Sequence, residues 1–230
     1  MNNRLKRAGA SITFAGVKVV TGASNALKLP IVSTGRPFSF YRRVFFEDRG
    51  ESEVLDDLRG KRILDVGCGL TPYTADSMFQ ACYREDIEFY GVDPKLDGVF
   101  EFGAFDRAKV LFTKGQGLEP DAPGEERRLG IYADDLPFED ESVDLILSSW
   151  ALFVWIADPQ ILNSVLAEAA RVLKEGGEVR IYPTPNLEDI RATVDPAVLQ
   201  AFELEQVFLA EVSVLNLPPA FRTTFKKLGN

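Results

Sequence analysis

The sequence predicts an α/β domain built on a doubly wound, mostly parallel sheet, and three observations carry that expectation. From Gly60 onward, short runs rich in Ile, Val and Leu alternate with longer amphipathic segments; the first run closes on a glycine turn; and one long segment repeats apolar residues at helical spacing. Buried strands alternating with helices mark a parallel sheet covered on both faces, because right-handed crossovers deposit the helices there.

The expected strands are residues 62–66, 88–92, 129–133, 143–148 and 178–182. Between the last two, Ile161, Leu162, Val165, Leu166, Ala169, Val172 and Leu173 recur at helical spacing within 158–173, and Lys174-Glu175-Gly176-Gly177 reads as a glycine stop for that helix. The segment 109–126 is longer than a strand-to-helix connection needs and reads as an insertion or mobile loop. Residues 207–217 and 221–228, separated by Pro218 and Pro219, read as a closing hairpin.

A chain of 230 residues, 46% of them hydrophobic, can bury one substantial core, so one domain with decoration is expected. Two cysteines, Cys68 and Cys82, occur without a CxxC pair, and there is no histidine. That composition supports neither a disulfide framework nor a zinc site, fits a reducing, cytoplasmic location, and requires any chemistry to proceed without imidazole. No apolar run approaches the roughly 20 residues that span a bilayer.

The net charge of -9 is unevenly spread. Residues 1–46 hold no acid, and Arg4, Lys6, Arg7, Lys18, Lys28, Arg36, Arg42 and Arg43 give +8, which leaves -17 on the remainder. The chain therefore divides into a basic, partly helical segment over 1–46, read as a lid or docking arm, and a binding domain over 47–230. Lys18 and small polar residues interrupt the weakly apolar stretch 8–20, which argues against a secretory signal; an acid-free organellar presequence stays open.

The functional constellation begins in Lys61–Thr74, KRILDVGCGLTPYT, where a buried strand ends in Asp65 and Gly67 and Gly69 form a tight turn ahead of an expected helix. Glycine there lets the backbone pass close to a ligand at the carboxyl edge of the sheet. The second element is Phe89-Tyr90-Gly91-Val92-Asp93-Pro94, a strand closing on a carboxylate 26 residues past Gly67, where an acid can accept hydrogen bonds from ribose hydroxyls. A dinucleotide site would show both elements. Its third glycine, however, falls on Pro72, which disfavours a pyrophosphate resting on the helix end.

Together these residues resemble the class I S-adenosylmethionine-dependent methyltransferases. Asp65-Val66-Gly67-Cys68-Gly69 is similar to their first motif and Asp93 to the acid that holds the cofactor ribose. Ala133-Asp134-Asp135-Leu136-Pro137-Phe138, then Ser142-Val143-Asp144-Leu145-Ile146, resemble their third-strand and fourth-strand motifs, and Arg171 to Gly177 resembles the turn before their fifth strand. The resemblance spans about residues 60–185 and implies a Rossmann-like sheet of seven strands with an antiparallel edge strand. It also implies S-adenosyl-L-methionine as cofactor, with contacts from Asp65, Val66, Gly67, Cys68, Gly69, Asp93, Pro94, Ala133, Asp134 and Ser149. Thr71 stands where the family often has a third glycine. Tyr132 stands where it often has the acid on the adenine amino group, which makes Asp134 the substitute candidate. Each acid also has an ordinary structural role open to it: Asp65 as a turn cap, Asp93 as a cap behind Pro94, Asp134 as a solvated loop acid.

Methyl transfer from a sulfonium is an in-line displacement whose leaving thioether needs no proton, so the absence of histidine is compatible with it. Both tryptophans, Trp150 and Trp155, follow the fourth strand, either as an apolar acceptor pocket or as packing at a helix start. Residues 36–46 mix arginines with Phe38, Phe40, Tyr41, Phe45 and Phe46, and read as a helix laid over the cofactor cleft in preference to a nucleic-acid arm, because a body of charge -17 repels a long polyanion. The expected function is methyl transfer to a small molecule; an RNA or protein acceptor recruited by the basic arm, and a non-catalytic binding subunit, are the alternatives. The sequence names no catalytic base, acceptor atom or oligomeric state.

Overall fold

A computed structural model describes residues 35–96, 117–209 and 219–229. Most of the basic N-terminal segment, the first part of the expected insertion and residues 210–217 of the expected hairpin lie outside the described residues. Seven strands form one sheet: β1 (Arg62–Val66), β2 (Glu88–Val92), β3 (Arg128–Leu129), β4 (Val143–Ser149), β5 (Leu173–Thr184), β6 (Phe202–Leu209) and β7 (Ala220–Lys227), in the order β3-β2-β1-β4-β5-β7-β6. β1 pairs in parallel with β2 and β4, as do β2 with β3 and β4 with β5. The antiparallel edge is a hairpin in which β7 lies between β5 and β6 and runs against both. The strand order reverses between β1 and β4, and ligands of such sheets bind outside the carboxyl ends of the strands at that point.

Two helical layers cover the sheet. Leu64, Val66, Val92, Ile146, Val179 and Ile181 share one apolar cluster with Leu162, Val165 and Leu166 of α4 (Pro159–Val172) and Ile190 of α5 (Leu187–Thr193), against which Val198 and Leu199 of α6 (Pro196–Leu199) also pack. The alternate strand residues Ile63, Phe89, Leu145 and Leu147 belong to a second cluster, built with α1 (Phe38–Phe45), α2 (Glu51–Leu58) and α3 (Met78–Arg84). A period of two along each strand sends successive side chains to opposite faces, which explains the division.

Three local expectations are corrected. The helix expected straight after the glycine turn is one 3-10 turn, Thr71–Tyr73, around Pro72; α3 starts only at Met78, where Ser77 Oγ accepts Gln80 N–H at 3.2 Å. The third strand shrinks from 129–133 to Arg128–Leu129, because only Gly91 and Val92 of β2 are there to pair with it. The Gly176-Gly177 pair does not stop α4. Leu173 is already extended (φ -68, ψ 138) and pairs with Val143, and the next pair is Leu145 with Glu178, so the glycines lie in an irregularity of β5. Gly176 there has φ +74, and a Cβ on Gly177 would lie 2.9 Å from the Lys174 carbonyl oxygen.

α1 falls within the helix expected over residues 36–46. Phe38, Phe40, Tyr41, Val44, Phe45 and Phe46 are all buried, against Ile63, Leu145, Leu147, Met78, Phe79 and Tyr182. Arg180 of β5 donates to the Phe45 carbonyl at 2.6 Å and Arg222 of β7 to the Val44 carbonyl at 3.1 Å, so two cations satisfy orphan carbonyls at the helix end. Residues 38–46 form a core layer packed against the sheet.

Candidate cofactor site

The site is assembled at the carboxyl ends of β1, β2 and β4. Gly67 (φ +74) and Gly69 (φ +55) occupy the left-handed region, which only glycine enters without strain. Gly67 N–H donates to the Val92 carbonyl at 2.8 Å, and Gly69 N–H donates to Asp93 Oδ2 at 3.1 Å. The other oxygen of Asp93 accepts the Lys95 N–H at 3.0 Å. Asp93 thus ties the glycine turn to the end of β2 and also fills the local capping role open to it. Each carboxylate oxygen keeps acceptor capacity beyond these bonds, and the residue is only half-buried.

Asp65 is fully buried, and among the described residues no turn-capping bond is made: Oδ2 accepts the Tyr41 hydroxyl, while Oδ1 has no partner there. Burial raises its pKa to about 7, Asp93 adds to the rise, and the Tyr41 bond and Arg36 oppose it. Burial and the Asp65 charge push the Tyr41 hydroxyl well up, so it stays protonated as donor.

After β4 the backbone turns sharply. Trp150 has φ +62, an unfavourable value for a bulky side chain, and is held by its N–H donating to the Tyr182 carbonyl at 2.7 Å. Ser149 Oγ and Trp150 Nε1 are buried without hydrogen-bond partners among the described residues. A Cβ on Gly67 would lie 2.2 Å from the Ala151 Cβ, so the β1 and β4 turns form one wall. Three polar atoms without partners among the described residues, on Asp65, Ser149 and Trp150, therefore belong to residues at the carboxyl ends of β1 and β4, at the switch point. Such groups are costly unless something bonds them, and they suit a polar ligand.

The expected site residues separate by position. Gly69 and Asp93 are joined by a hydrogen bond, Gly67 is tied to Val92 at the end of β2, and Asp65 stands at the end of β1 two residues before Gly67. Val66 and Cys68 have buried side chains, and Ala133 packs in the cluster that holds Val66 and Val92. Pro94 is exposed beside Asp93, and Ser149 ends β4. Asp134 stands exposed on the turn after β3, next to Tyr132, which is 72% exposed. Sequence reasoning missed the bond from Tyr41 to Asp65, although a hydroxyl on an otherwise apolar helix stripe was its signal. It also missed the left-handed Trp150, for which no signal existed.

The Asp65 environment sets a pH dependence. An ordinary Asp titrates near 3.9 and this one near 7, so the stability it lends is fully present below about pH 4 and is lost as pH rises through about 7. Asp65→Asn removes that titration. Urea denaturation is expected to find the variant gaining stability relative to the parent between pH 5 and pH 8; a gap that does not change with pH would contradict the assignment.

A family model described as a methyltransferase domain matches residues 64–181, from the middle of β1 into β5. The chain belongs to the methyltransferase-domain family. S-adenosyl-L-methionine is the cofactor of this fold, and the glycine turn, Asp93 and the orphaned polar atoms fit such a polar nucleoside. Solved methyltransferase structures are similar at low identity. A protein from Methanosarcina mazei, called a SAM-dependent methyltransferase, is 18% identical, with 77% of this chain and 98% of that one covered and a TM-score of 0.45. One from Archaeoglobus fulgidus with the same description is 18% identical, at 83% and 98% coverage and a TM-score of 0.40. A 16S rRNA (adenine(1408)-N(1))-methyltransferase from Catenulisporales acidiphilia is 13% identical, at 78% and 90% coverage and a TM-score of 0.45. No curated protein sequence matches the chain. Among the described residues of this methyltransferase-family chain, no helix is long and apolar enough to cross a membrane.

Proposed function

We propose that the protein transfers the methyl group of S-adenosyl-L-methionine to a small acceptor. The observation that carries this reading is the layer formed by α1 beside the switch point: Tyr41 bonds Asp65 from it, and the polar atoms of Asp65, Ser149 and Trp150 at these strand ends are shut away from solvent. Strand ends covered by a packed helix suit a small molecule, whereas an RNA or protein acceptor needs an open face. The cofactor supplies an electrophilic methyl group on a sulfonium. Asp93 would hold the ribose hydroxyls, and the backbone of Val66, Gly67, Cys68 and Gly69 would border the ligand. Pro94 and Ala133 would flank the adenine, with Asp134 as the candidate for its amino group, and Ser149 would contact the cofactor at the edge it shares with the acceptor. The chain's contribution is to hold two reactants in line and exclude water, and it offers no imidazole to take a proton.

Incubation with methyl-labelled cofactor and a cell extract, followed by separation into metabolites, RNA and protein, tests the acceptor class. Label is expected among the metabolites at low and high salt alike; label in RNA, lost as salt rises, would overturn the reading.

Asp93 is the residue on which cofactor affinity depends most in this assignment. Losing hydrogen bonds to a charged group costs about 1.5–3 kcal/mol each, so Asp93→Ala is expected to weaken cofactor binding at least about tenfold while circular dichroism reports a folded sheet. Unchanged affinity in calorimetry would reject the role.

A further inference from the structure

Before β3 begins, residues 118–124 lie as a strap against the turn that follows Gly69. Leu118 forms an isolated bridge with Thr74, and Glu119 N–H donates to the Tyr73 carbonyl at 2.8 Å. Leu118 also packs on a small apolar cluster of Cys68, Leu70, Tyr73 and Leu96, so the strap touches both the glycine turn and the chain just past Asp93. Two long polar side chains fasten it. Gln80 of α3 is buried, and its Nε2 donates to the Pro72 carbonyl at 2.6 Å and to the Pro123 carbonyl at 3.0 Å, so one nitrogen bridges turn and strap. Arg128, the first residue of β3, donates to the carbonyls of Ala122 and Pro123, the latter at 3.0 Å, and lays its guanidinium 4.3 Å from the centroid of the Tyr73 ring. On its other side the turn abuts β2, where a Cβ on Gly91 would lie 2.9 Å from Pro72 Cγ and 3.0 Å from Cys68 Sγ.

We propose that Gln80 and Arg128 are positioning residues for the cofactor turn, acting through this strap, so that docking of residues 118–124 and occupation of the turn are coupled. This rests on the reading of the site as one for S-adenosyl-L-methionine. A single 3-10 turn has few backbone bonds of its own, and here the carbonyls of Pro72 and Tyr73 are held by Gln80 and by the strap. A buried carbonyl that loses its donor is destabilised, and because the same Gln80 nitrogen serves Pro123, that loss falls on turn and strap together. Arg128 adds a cation over the Tyr73 ring while holding the strap's carbonyls. The Gly69 N–H that meets Asp93 belongs to the same short stretch of backbone, so a shift of Pro72 or Tyr73 reaches the ligand contacts. Such coupling is reciprocal: the factor by which the docked strap raises ligand affinity is the factor by which the ligand favours docking.

Calorimetry and amide hydrogen exchange of the full-length protein with S-adenosylhomocysteine test the coupling. In the parent protein the ligand should slow exchange across residues 118–124, the Glu119 amide included. Gln80→Met and Arg128→Met keep an unbranched side chain and remove its donors; each should lower the affinity about fivefold or more and abolish most of that protection. Because both act through one strap, the double variant should lose about as much affinity as the worse single variant, not the product of the two losses. Val165→Ala loosens the helical layer on the other face of the sheet and serves as the control: it should lower the melting temperature and leave affinity and protection as in the parent. Parental affinity in both single variants, multiplied losses in the double variant, a matching loss in Val165→Ala, or strap exchange that the ligand does not slow would each overturn the inference while leaving the cofactor site intact. A parent protein that does not bind S-adenosylhomocysteine would instead remove the reading on which it rests.

Discussion

A chain lacking residues 1–46 is expected not to fold. The truncation removes six side chains that sit against the sheet, each of them fully or nearly fully buried. Deleting one large core side chain typically costs about 2–5 kcal/mol, and the whole domain has only about 5–15 kcal/mol in reserve. The cut would also bare Ile63, Leu145, Leu147 and Phe79, and remove the carbonyls that Arg180 and Arg222 satisfy. Circular dichroism and thermal denaturation of the truncated chain should show no cooperative transition. Phe45→Ala, a gentler probe of the same layer, should lose about 3–5 kcal/mol in urea denaturation. A truncated chain that melts like the full protein would show that the layer is separable after all.

Gly67→Ala is expected to have the second large effect, on the site and the fold together. Two independent terms oppose the substitution. At φ +74 an alanine is strained by about 1–2 kcal/mol, and its Cβ would lie 2.2 Å from that of Ala151, an overlap that forces one turn to move. Overpacking of that kind costs about 1–3 kcal/mol. Because the moved turn carries the Gly69 N–H that meets Asp93, cofactor affinity should fall at least about tenfold along with stability. Adding Ala151→Gly relieves the overlap but not the strain, so the double variant should recover part of the loss. A single variant with parental affinity and melting temperature would contradict the geometry.

The sequence carried the parts of this fold that depend on local pattern. Central strands buried on both faces read as short runs rich in apolar residues, so β1, β2 and β4 were found nearly to the residue, and the glycine turn with Asp93 was legible because left-handed backbone and a strand-end carboxylate are written in residue types. What failed depended on partners distant in sequence. β3 is short because little of β2 is available to it, and β5 starts early because Leu173 finds Val143. The helix over residues 36–46 was legible from its aromatics, which are buried, but the partner of its one hydroxyl was not, because a bond spanning 24 residues, from Tyr41 to Asp65, has no signature in spacing. Trp150 defied its residue type altogether, since nothing in its identity announces a left-handed backbone.

The central claim is that the turn joining Asp65, Gly67, Gly69 and Asp93 is a site for S-adenosyl-L-methionine. Calorimetric titration of the full-length protein with S-adenosyl-L-methionine, and with S-adenosylhomocysteine, tests it most directly. The account predicts saturable binding of one molecule per chain for each ligand, each displacing the other. No binding of either ligand to the folded protein would contradict it.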